Sequence, residues 1–156
     1  MILKDAKKFP VEIIKPNSLN SIITILTNCD ITAREAIIFS ESLRIMELQI
    51  KTENIDLSNF NAFNIFFTSE GELELYEEST TNRGSQFHVA VYRMKQIHEL
   101  RSEYAMMFIF LEEMVHYFWR SADEAFVKNK VVEIMKILIP NFTMDYMTSR
   151  WKLNGI

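Results

Sequence analysis

The stretch from Tyr104 to Arg120, YAMMFIFLEEMVHYFWR, limits the possible folds more than any other part of the chain. Wound as a helix at about 100° per residue, it gathers Ala105, Ile109, Glu112, Glu113, His116 and Arg120 into one arc. Almost all the remaining girth is Met, Phe, Leu, Val, Tyr or Trp. A helix so apolar must lie deep in a domain, with Met107, Phe108, Leu111, Val115 and Phe118 in the core. Its polar arc then faces either a cleft or water. In a cleft, two carboxylates and an imidazole are costly unless they are paired, protonated or bound to a cation.

The rest of the composition bounds the setting of that helix. A chain of 156 residues with 48% hydrophobic and 24% charged residues is expected to form one domain, 1–156. Only three Gly and three Pro favour long helices over tight turns. The net charge of −4 argues against a nucleic-acid partner bound through its phosphates. The single cysteine, Cys29, has no internal partner and reads as an inert thiol in a reducing compartment. The N-terminus carries no signal-peptide pattern, and the Ala105–Trp119 run is too short and too charged to span a bilayer. A cytoplasmic protein without membrane contact is the expectation, and the sequence leaves its oligomeric state open.

The predicted class is α+β. A helix from Ser18 to about Thr27 and a second from Thr32 to about Gln49 are expected to pack as an antiparallel pair, making residues 1–58 a helical part. Thr32 with Glu35 matches a capping box. Ala62–Thr68 and Glu72–Leu75, joined by a turn at Gly71, read as a hairpin. After a polar loop, Thr80–Ser85, a third strand places Phe87, Val89 and Val91 on one face and His88 on the exposed one. A three-stranded antiparallel sheet results. Helix follows from Lys95, a new helix begins at a second capping box, Ser121 with Glu124, and Pro140 ends it. The core is expected over about 60–140. The tail, 141–156, with Phe142, Tyr146, Met147 and Trp151, reads as a short docked helix.

Glu112 and His116 are four residues apart, so both reach one point above the helix, and Glu113 shares the arc within reach of a water held there. That is the geometry of the HExxH zinc motif. The segment Phe110-Leu111-Glu112-Glu113-Met114-Val115-His116-Tyr117-Phe118-Trp119 resembles the active-site helix of a zincin metallopeptidase, with Glu112 where the family has its first His. The resemblance covers roughly residues 87–138 and is strongest to small intracellular zincins of bacteria and their mobile elements. It implies a metal held by Glu112, His116 and Glu124, with Glu113 as the base that takes a proton from water. Zinc is the metal implied, although the oxygen-rich set also suits other divalent ions. The substrate would be a protein or peptide.

A second reading stands beside this one. Glu112, Glu113, His116 and Arg120 also suit the solvated face of an amphipathic helix with i,i+3 and i,i+4 pairing, and Glu124 suits a helix start alone. The chain is then a non-catalytic interaction or regulatory protein without metal, whose partner is another protein. Surroundings decide between the two: convergence of Glu112, Glu113, His116 and Glu124 on one cleft favours the peptidase, and an open, solvated face favours the interaction protein.

Overall fold

The computed structural model describes residues 2–76, 87–100 and 102–148. Helix and sheet are mixed, as expected. The elements are β1 (Ile2–Leu3), α1 (Asn17–Asn20), β2 (Ile23–Thr27), α2 (Ala33–Thr52), β3 (Phe63–Thr68), β4 (Leu75–Tyr76), β5 (His88–Arg93), α3 (Met94–Glu99), α4 (Glu103–Phe118) and α5 (Glu124–Leu138). Short 3₁₀ turns lie at Leu57–Asn59 and Met144–Thr148.

The sheet differs from the expectation in strand identity and direction. Its order is β2-β3-β5 and both pairings are parallel, with Ile23 opposite Phe63 and Phe63 opposite His88. The expected helix over 18–27 is a single turn, α1, followed by strand β2, so no antiparallel helix pair forms and residues 1–58 are not a helical part. The run Ile22-Ile23-Thr24-Ile25 is dense in β-branched residues, which lose rotamer freedom in a helix and pack well on a pleated sheet. Short apolar runs fit either period, and here burial against β3 decides. With β2 a strand, α2 becomes the crossover that parallel pairing requires. Every residue of β3 is buried, as befits the central strand of a parallel sheet. The chain does turn at Gly71, but β4 pairs with β1 and not with β3.

One face of the sheet carries the helices. Phe67 stacks on Phe39 of α2 at 4.6 Å, and the Tyr92 hydroxyl donates to the Phe110 carbonyl of α4 at 2.8 Å. The facing of β5 is the reverse of that predicted: Ala90 and Tyr92 are buried, whereas Phe87, Val89 and Val91 are exposed. One buried cluster extends from Ile13 to Phe142. All five residues assigned to the core on α4 lie within it.

Helix starts follow local chemistry. The Thr32–Glu35 capping box forms in both directions. The Ser121–Glu124 box does not. Asp123 caps α5 instead, its Oδ1 accepting the amides of Ala125 and Phe126, while Ser121 Oγ accepts only the Asp123 amide. Pro140 follows α5 as expected. Within its described residues, 141–148, the tail docks through fully buried Phe142 and a 3₁₀ turn; the rest of the tail, with Trp151, and the loop over 80–85 lie outside the described residues.

Candidate functional site: the outer stripe of α4

The polar arc of α4 does not meet a single environment. Ala105 is buried and Ile109 half-buried, so the amino-terminal half of the arc belongs to the core and its edge. Glu112 is half-buried, Glu113 exposed and His116 half-buried. Two clefts and a helix–helix seam divide these side chains.

His116 lies at the seam where α4 gives way to α5. Its Nδ1 is 2.7 Å from the Ser121 carbonyl oxygen. A carbonyl only accepts, so Nδ1 carries the proton and Nε2 is left facing Glu124 Oε1 at 3.6 Å. The Ser121 amide in turn donates to the His116 carbonyl. The imidazole thus staples the corner between the helices. Glu112 lies in the field of the same group: burial pushes its carboxyl above the ordinary range, Glu113 and Glu124 add to the rise, and Lys128 and His116 oppose it. Lys128 therefore supplies a positive charge of the protein's own in the region assigned to a metal.

Glu113 sits on a different flank. With Ile109 it lines a cleft of about 420 Å³ against Val91, Tyr92, Arg93 and Leu100. Its charge acts on the Tyr92 phenol, which is pushed well above its ordinary value by burial first and by Glu113 and Glu112 next. Arg93 crosses Gly71, whose φ of +95° suits only glycine and whose absent Cβ would lie 2.6 Å from the Arg93 Nε. The other cleft, about 410 Å³, is lined by His116, Tyr117 and Arg120 of the α4 end, by His88, and by Asn59, Phe60 and Asn61.

The structure therefore brings His116 and Glu124 together, puts Glu112 in their field, and sends Glu113 elsewhere. Among the described residues, no three His, Cys, Asp or Glu side chains are grouped to hold a metal ion. The sequence reading missed His88, Arg93, Lys128 and the Asn59–Asn61 segment. Only the pairing of His88 with Phe63, over which Tyr117 stacks at 4.5 Å, brings His88 to α4, and that register is invisible until the sheet is known to be parallel.

A larger groove, about 530 Å³, lies between the 11–16 segment and α2. Three of its charged residues are already paired, Arg44 with Glu41 and Glu47 with Lys51, and it holds none of the stripe. None of the described helices is long and apolar enough to cross a membrane. Comparison with protein-family models, with characterised proteins and with solved structures finds no match to this chain.

Proposed function

We propose that this chain is a non-catalytic binding protein for an extended protein or peptide segment, built around a helix of zincin type whose polar stripe has been divided among separate tasks. The observation that carries the reading is the division itself. Glu113, the residue assigned as base, lines the β5 cleft, while His116 is held at the α4–α5 corner. Water activation needs both on one atom.

The β5 cleft suits an extended occupant. Among the described residues β5 pairs only with β3, so its other edge offers unpaired main-chain groups of the kind that accept an added strand. From His88 to Arg93 that edge runs roughly 17 Å at about 3.3 Å per residue. Ile109 to Phe118 of α4 runs roughly 14 Å at about 1.5 Å per residue, a comparable length. Val91, Leu100 and Ile109 give apolar contact, and Glu113, exposed and without a described partner, suits a Lys or Arg of the segment. An N-acetylated, C-amidated hexapeptide alternating Lys and Val tests this by NMR. Saturable shifts of the β5 amides, weakened in Glu113→Lys, are expected; unmoved β5 amides overturn the proposal.

The second reading is a divalent metal, zinc first, held by Glu112, His116 and Glu124, with Glu113 as base of a peptidase. One observation favours it: an imidazole whose Nδ1–H is fixed by a carbonyl, with Nε2 facing a carboxylate, is oriented as metal-binding histidines are. Zinc calorimetry on the wild type, His116→Ala and Glu112→His separates the readings. The binding protein should take up zinc no better than His116→Ala does. Tight wild-type binding that His116→Ala abolishes would replace it with the metal reading.

A further inference from the structure

The cleft at the carboxyl end of α4 combines features that none of the roles above uses. Arg120 has φ +50°, a left-handed conformation that a side chain of its size rarely adopts and that glycine adopts without cost. Its guanidinium lies 5.0 Å from the centre of the Phe60 ring and donates from Nη2 to the Asn59 carbonyl at 3.0 Å. Those two contacts occupy one donor and one face of a group with five N–H donors. Among the described residues no carboxylate pairs with it.

The other walls are donors as well. The His88 imidazole makes no hydrogen bond among the described residues; it stands 5.2 Å from the Tyr117 ring, centre to centre, and so keeps at least one N–H for a ligand. The Asn61 amide adds N–H groups, and the Asn59 side-chain amide, which gives one N–H to Asp56 Oδ2 at 2.9 Å, keeps its second; their main-chain carbonyls are already engaged by Arg120 and by the Tyr117 hydroxyl, at 3.0 and 2.6 Å. Among the described residues no Asp or Glu lines the cleft. Two carboxylates stand behind its walls: Asp56, which accepts from the Asn59 side-chain amide at 2.9 Å, and Glu124, 70% exposed beyond His116, where water screens it. A volume of about 410 Å³ admits a small group.

We infer that this cleft is an oxyanion site in which Arg120, His88 and the Asn59 and Asn61 amides receive a carboxylate or a phosphoryl group. Backbone strain at Arg120 is then the cost of aiming a guanidinium where glycine would serve the turn. The inference does not depend on strand pairing at β5, because inorganic phosphate cannot add a strand.

The test is NMR titration of the full chain with inorganic phosphate, with N-acetyl trialanine as the free acid, and with the corresponding amide. Saturable shifts of the His88 and Arg120 side chains are expected with phosphate, the free acid or both, and none with the amide. Arg120→Gln should weaken the effect about tenfold, since a charge-assisted pair is lost. Arg120→Gly should lose binding while keeping the fold, because it relieves the left-handed strain. The stronger of the two anions identifies the natural group as a peptide terminus or a phosphoryl ester. Absence of shifts with both anions overturns the inference, as do equal shifts with the amide or undiminished binding in Arg120→Gln.

Discussion

Thr32 and Asp123 perform the same task at the starts of α2 and α5: each offers a side-chain oxygen to amides that the first helical turn leaves without partners. Thr32→Ala and Asp123→Ala should each lower stability by about 0.5–2 kcal/mol in urea titrations, with the fold retained. Ser121→Ala should cost less than either, since Ser121 Oγ accepts only the amide of Asp123, outside the helix. The sequence Ser121-Ala122-Asp123-Glu124 offers two oxygen-bearing caps two residues apart, and the local pattern does not choose between them. Tertiary contact chooses: His116 holds the Ser121 carbonyl, and the Asp123 carboxylate suits the positive end of the helix dipole. Asp30 lies two residues before Thr32 but has Ala33 three positions on, whereas Thr32 has Glu35, so its capping box was legible.

At the scale of elements, α4 was the most legible because its period is long and its apolar face is continuous. Phe108 and Leu111 are almost wholly buried, the first stacked near Phe142 and the second in the same cluster. Truncating either to Ala should cost about 2–5 kcal/mol, read as a fall in the denaturant midpoint; an unchanged midpoint in both would remove α4 from the centre of the core. β2 was illegible for the opposite reason. Five residues contain too few turns of either period to distinguish helix from strand, so the choice falls to β-branching and to a partner 40 residues away. The facing of β5 failed in turn, because alternation shows that two faces exist and not which one the helices cover. Phe87, Val89 and Val91 are the more apolar set, yet Ala90 and Tyr92 point inward. With strand direction and facing both hidden, the neighbours of α4 were hidden too, and with them the division of its stripe.

Across the whole molecule, two carboxylates give opposite pH dependence. Glu53, at the carboxyl end of α2, accepts from Lys130 of α5 at 2.6 Å, from Trp119 at the end of α4 at 2.7 Å, and from Gln49 at 2.6 Å. Burial pushes its carboxyl up, but these three donors outweigh burial and hold it below its ordinary value of 4.5. Its native form thus binds a proton less readily than its unfolded form. The stability it contributes is present above pH 4.5 and is lost as pH falls through the lower, folded value. Glu112 is the reverse case, because burial raises it. Its contribution is present below pH 4.5 and is lost as pH rises through the higher, folded value. Glu53→Gln should therefore lower the melting temperature at neutral pH and flatten the acid limb of the stability curve. Glu112→Gln should raise the melting temperature at neutral pH and leave it nearly unchanged in acid, where both side chains are neutral. Melting curves of the three proteins between pH 3 and pH 8 measure both effects. A Glu112→Gln protein that melts lower than the wild type at neutral pH would mean that Lys128 and His116 outweigh burial at that carboxylate. The α4–α5 seam would then hold a charge the fold depends on.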